Sequence, residues 1–111
     1  LGYKEKHKPS PEKQYEYTKS HRSKYMEKHR AKNATRMIKR DDGNHLHHWS
    51  YNKEHYKDVI ELSIANHNKA HRFLIYDQER FMYRRCDTLE LLDTREAHEK
   101  FITFVIETKE D

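Results

Sequence analysis

A chain of 111 residues is the size of one domain, and its 38% charged and 33% hydrophobic residues leave part of it without a core of its own. The charge is uneven. Residues 1 to 40 carry 13 Lys or Arg against 4 Glu, net +9, whereas residues 41 to 111 hold 10 basic and 15 acidic residues, net −5. The basic block favours a polyanionic partner, since Lys and Arg neutralise phosphates and release counterions; a solvated tail is the alternative. Cys86 stands alone, which excludes an intramolecular disulfide and a Cys-x-x-Cys zinc site. Apolar runs such as Phe73 to Tyr76 fall far short of the ~20 residues a membrane helix needs. With no secretory leader legible, a soluble, reducing, cytoplasmic setting is expected, with no membrane partner and no nucleotide cofactor.

In chain order, Ser10-Pro11-Glu12 reads as a helix start, with Ser as N-cap and Pro at the first helical position. Tyr15, Thr18, Arg22, Tyr25 and His29 then mark a narrow stripe of mixed polarity. Such a basic helix needs the rest of the domain, or nucleic acid, to become ordered. It ends before the turn-forming Asp41-Asp42-Gly43-Asn44. Asn44 to His48 is β-compatible, Trp49 to Lys57 is an aromatic-rich loop, and Asp58 to Leu62 is a second short strand. Ser63 can cap a helix through His67 and His71 to about Arg72.

Phe73 to Tyr76 and Phe81 to Arg84 then read as two strands of a hairpin turned by Asp77 to Arg80. Asp93-Thr94-Arg95-Glu96 fits a capping box, followed by Ala97, Phe101, Phe104 and Val105 on a closing amphipathic helix. Trp49, Tyr51 and Tyr56 are expected to form a small local core. Arg80, Arg84 and Arg85, with Arg72, are open to phosphate or to solvent, and Cys86 reads as a packing residue.

The chemistry-bearing pattern lies between Asn44 and Arg72. His67 and His71, four apart on one helix face, can converge on one metal or one phosphate. His47-His48 lies upstream on a strand, where neighbours point to opposite faces unless the backbone turns into the Trp49 loop. A histidine with a pKa near ~6.5 is a competent base at neutral pH, and phosphodiester hydrolysis needs little more than an activated water and a divalent cation.

His47-His48-Trp49-Ser50-Tyr51, then Asp58-Val59-Ile60-Glu61-Leu62, then Asn66-His67 and His71, resembles the HNH (ββα-metal, His-Me finger) endonuclease motif in order, spacing and setting. The paired-His ending is similar to that of colicin-type nucleases, and the flanks to those of small phage-type HNH proteins. The resemblance implies an α+β fold: a ββα-metal core over residues 41 to 111, with a hairpin and a C-terminal helix, and a basic helical arm over residues 1 to 40. It implies His47, His67 and His71 as metal ligands, with His45 an alternative to His47 and His71 an alternative phosphate contact. His48 becomes the general base. Asp58 takes the middle position, usually Asn, where the side chain braces the loop and orients the base. Asn66 replaces a cysteine of zinc-stapled relatives.

The implied activity is divalent-metal-dependent hydrolysis of DNA, with an RNase or a non-catalytic DNA-binding module on the same scaffold as alternatives. The all-His set favours Zn, Ni, Co or Mn over Mg, which prefers oxygen donors. Arg22, Lys24, Lys28, Arg30, Lys32, Arg36, Lys39, Arg40 and Arg72 are the expected nucleic-acid contacts.

Overall fold

A computed structural model describes residues 11 to 108, so the expected Ser10 cap lies outside the described residues. Among the described residues, four α-helices and two small antiparallel sheets make a mixed α+β fold. The basic segment forms α1 (Pro11–Lys24) and α2 (Met26–Ala34). The continuous helix expected there is interrupted at Tyr25, whose φ of −121° and ψ of 50° leave the helical region. Its ring packs between His21 and Tyr76, with centroids 4.9 and 6.1 Å away. The side chains of Tyr15 and Thr18, part of the expected stripe, lie outside the described residues.

β1 (Asn44–His48) pairs with β2 (Val59–Ser63), His47 opposite Ile60 and His45 opposite Leu62. A short 3-10 turn, Lys53–His55, lies between them. Asp58 stays in that connection, its N–H bonded to the His55 carbonyl, so β2 starts one residue later than expected. Ser63 caps α3 (Ile64–His71) by accepting from the Asn66 N–H at 3.1 Å, as its sequence position suggested.

β3 (Leu74–Asp77), β4 (Met82–Arg85) and the unanticipated β5 (Leu91–Leu92) form the second sheet. Both hairpin strands sit one residue beyond the expected spans. The two sheets are tied where Ser50 bridges Met82 and the Tyr51 N–H reaches the Phe81 carbonyl at 2.8 Å.

α4 (Arg95–Glu107) closes the fold. Its N-cap is Thr94, which accepts from Ala97 N–H; Glu96 therefore stands one position too early for the reciprocal half of the expected capping box. His98, Phe101, Ile102 and Val105 form its buried stripe, whereas Phe104 is 61% exposed. Ile60, Ala70 and Ile102 join β2, α3 and α4 in one apolar cluster; Leu92, Phe101 and Val105 join β5 to α4 in another. A third unites Ala31 of α2 with Tyr51 and Tyr83, and Tyr56, Tyr76 and Phe81 pack around it.

The last cluster makes α2 part of the core. Tyr76 donates its hydroxyl to Glu27 at 2.6 Å, and the Gln78 amide donates to the Lys24 carbonyl at 2.6 Å. The second helix of the basic segment thus docks on the hairpin. Arg80 and Arg84 pair with Asp77, and Arg85 with Asp87. Cys86 is exposed, not packed, because its backbone joins Phe73 at the sheet margin while its side chain faces outward.

Leu89 holds a left-handed φ of 64° in the turn between β4 and β5, with its side chain 56% exposed. A non-glycine residue there costs on the order of 1 kcal/mol or more, partly offset in glycine by its larger unfolded-state entropy. Leu89→Gly should therefore stabilise the fold by up to about 1 kcal/mol in urea unfolding. A lowered midpoint at unchanged m would show that the Leu89 side chain contributes more than its backbone strain costs.

Candidate metal centre and basic cleft

Alternation along β1 sends His45 and His47 to one face and Leu46 and His48 to the other. The first face is roofed by α3, which sets His67 and His71 one turn apart, and by α4, which contributes His98. His47, His67 and His71 each offer one nitrogen, and these atoms all lie within 4.8 Å of one another, so the three could hold a metal ion. The centroids of His47 lie 5.1 Å from His67 and 4.9 Å from His71, and His67 Nε2 is 3.0 Å from His71 Nε2.

Two further imidazoles flank this triad. His45 Nδ1 is 2.9 Å from His67 Nδ1, and His98 Nε2 is 2.7 Å from His47 Nε2. His45 therefore touches His67 and does not replace His47 in the triad. The expected stripe of Ala97, Phe101, Phe104 and Val105 missed His98. Its signal is that a polar residue at position 98 lies in helical phase with Ile102 and Val105 on the buried stripe.

Burial is severe. His47 is 1% exposed and His98 0%. Burial, with His98, His71 and His67 close by, pushes His47 far below the ordinary histidine value. Burial lowers His67 to about 4, with His71 and His45 adding to the effect. Burial and then His71 bring His98 to about 4. Burial also lowers His71, with the Lys28 charge contributing. All four rings are consequently neutral near pH 7, the state in which imidazole ligates. Neutral imidazole nitrogens without acids among them suit a borderline transition ion better than Mg, and the buried His47 Nδ1 has no hydrogen-bond partner among the described residues.

His48 lies on the opposite face of the strand, so the two neighbouring histidines separate. Its Nε2–H donates to the Tyr56 carbonyl at 3.0 Å. Burial lowers its pKa, while the Tyr56 and Ala31 carbonyls favour the protonated ring. His48 nevertheless lines a cleft of about 530 Å³ shared with His45, His67, Tyr51 and four cations, Lys28, Lys32, Arg36 and Arg40. The cleft thus runs from His48 to the rim of the histidine cluster. Of the other expected cations, Arg22, Lys24, Arg30, Lys39 and Arg72 are exposed and do not line it.

Asp58 sits elsewhere. It accepts from the Trp49 indole at 3.2 Å and pairs with Arg95, so it braces the loop and ties it to α4, whereas the direct hold on His48 comes from the Tyr56 carbonyl. Asn66 contributes its backbone N–H to the Ser63 cap. Among the described residues no helix is long and apolar enough to cross a membrane. Comparison of the chain with family models, with curated proteins and with solved structures found no match.

The depressed histidines set a stability profile for the metal-free protein. Below an unfolded value near 6.5, the unfolded chain binds protons that folded His67 and His98 refuse until about 4. Stability should therefore fall as pH drops through that window. In chelator, thermal unfolding followed by circular dichroism should show a lower midpoint at about pH 5 than at about pH 7.5. An equal or higher midpoint at the acid pH would contradict the burial of neutral rings.

Proposed function

We propose that this chain is a metal-dependent endonuclease of the HNH type, acting on DNA phosphodiester bonds. The observation that carries the reading is the continuity of a three-histidine cluster with a cleft that holds His48 and four cations. The order β1, loop, β2, α3, with ligands from β1 and α3, matches the strand-loop-strand-helix setting that the motif implies. A bound divalent cation would supply Lewis-acid polarisation of the phosphoryl group and stabilise the leaving oxygen.

The chain's own residues do the rest. Lys28, Lys32, Arg36 and Arg40 hold the phosphate backbone along the cleft. His48, with its Nε2–H committed to the Tyr56 carbonyl, would take the proton of the attacking water on Nδ1, the nitrogen that carries the lone pair in that tautomer. The Ala31 and Tyr56 carbonyls stabilise the imidazolium that results. Asp58 keeps the Trp49 loop in place from behind through Trp49 and Arg95. His47, His67 and His71 serve as ligands.

A second reading, a non-catalytic metal-stabilised DNA-binding module, draws on different observations. His47 and His98 are almost fully enclosed, and His48 is only 7% exposed between two carbonyls. Catalysis needs an open coordination position, whereas a structural ion does not.

The two readings part on cleavage by the wild type, which only an endonuclease shows, and one substitution tests the base. His48→Ala should abolish divalent-metal-dependent cleavage of supercoiled plasmid while leaving DNA affinity within about threefold; cleavage undiminished by the change would sink the assignment of the base. RNA and single-stranded DNA offered in parallel decide the substrate class. The grip is tested by Lys32→Ala, Arg36→Ala and Arg40→Ala, since removing α2 altogether would also remove the fully buried Ala31. Each should reduce the slope of log affinity against log salt by about 1, and a slope unmoved by all three would remove the cleft as the DNA contact.

A further inference from the structure

Two imidazole nitrogens, His47 Nε2 and His98 Nε2, meet at 2.7 Å inside the protein, and the other nitrogen of each ring is buried without a partner among the described residues. A neutral imidazole carries one N–H and one lone pair, so this contact admits three arrangements. If His98 donates, His47 Nδ1 bears a proton with no acceptor, and the unused lone pair of His98 Nδ1 is enclosed as well. If both Nε2 lone pairs converge on an ion, both Nδ1–H groups are left as buried donors with nothing to receive them, each at the cost of its lost hydration. If His47 donates, its Nδ1 lone pair is free to meet a cation, and only the His98 Nδ1–H stays unmatched.

The third arrangement leaves the fewest groups unexplained, and it accounts for the orphaned Nδ1 of a ring that stands in the triad with His67 and His71. From this geometry, and resting on the metal-centre reading above, we infer that His98 is a positioning residue. It accepts the Nε2–H of His47 and so fixes the tautomer in which His47 offers Nδ1 to a transition-metal ion. A ligating histidine ordinarily gives its second N–H to a carboxylate, carbonyl or water. Here a fully buried histidine of α4 takes that place. His45 makes the corresponding contact with His67 on the cleft side, 2.9 Å between Nδ1 atoms. The device also joins α4 to β1 across 51 positions of sequence, so docking of the last helix and readiness of the metal centre become one event.

The test compares zinc affinity of the full chain, by competition with a chromophoric chelator, in the wild type, His98→Leu and His98→Gln. Leucine fills the space without accepting a hydrogen bond, whereas the glutamine Oε1 can accept one. His98→Leu should bind zinc about 10- to 100-fold more weakly, and His98→Gln should recover most of the loss. The visible spectrum of the cobalt-loaded His98→Gln protein should superpose on that of the wild type. Equal loss in both variants with an altered cobalt spectrum would make His98 a ligand and overturn the inference. Equal affinity in all three would make it a packing residue, with the same result.

Because a buried substitution can disturb folding, the wild type supplies an independent readout. Nitrogen-15 NMR of the zinc-loaded protein should place the His47 proton on Nε2 and the metal on Nδ1, and the reverse assignment overturns the proposal. A wild type that binds no zinc removes this inference and the metal centre together. One that binds zinc with the expected His98 dependence but cuts no nucleic acid sinks the endonuclease reading alone.

Discussion

The contact between His47 and His98 lies where β1, α3 and α4 converge, and the packing around it follows from the cost of taking imidazoles out of water. A charged ring enclosed there would be strongly disfavoured, so the rings are neutral, and neutral rings must find partners in one another. The apolar cluster of Ile60, Ala70 and Ile102 removes solvent from one side, and Tyr83 stacks over His47 at 5.9 Å between centroids on another. The fold therefore keeps a polar centre inside a small core, at an energetic cost that a purely apolar residue set would avoid.

Strand alternation divides the labour around this centre. One residue step along β1 separates His47, turned into the interior, from His48, turned toward the cationic cleft. Two adjacent histidines on a strand therefore meet different surroundings: His47 the other imidazoles, His48 the Tyr56 carbonyl and the cleft. The loop between the strands holds the arrangement through Trp49, Asp58 and Arg95, which tie it to α4, and through Ser50 and Tyr51, which tie it to the second sheet.

Much of the local architecture was legible in the sequence, because local signals determine it. β1, the Ser63-capped α3 and the amphipathic α4 follow from β-compatibility, capping and periodicity, and His67 and His71 converge because helical spacing obliges them to. The features that were not legible depend on contacts distant in sequence. β5 is two residues long and exists only because Leu91 and Leu92 pair with Arg84 and Tyr83. The interruption at Tyr25 reflects a ring drawn toward Tyr76, and the place of α2 in the core follows from Ala31 packing under Tyr51 and Tyr83. His98 is a polar residue on a stripe that apolar counting skips, and the role of Asp58 depends on Arg95, 37 positions away.

Lys28 carries a further consequence. Its ammonium lies 4.0 Å from the centre of the Tyr76 ring and within 5.8 Å of the centres of Tyr25, Tyr51 and Tyr83, and burial lowers its pKa. The same side chain lines the cleft. Leaving the rings would forfeit roughly 0.5–2 kcal/mol of cation–π attraction, so any anion that drew Lys28 into the cleft would have to outweigh the tyrosine faces. Lys28 thus acts as a latch between α2 and the hairpin, and the position of the helix that carries the neighbouring cations depends on it.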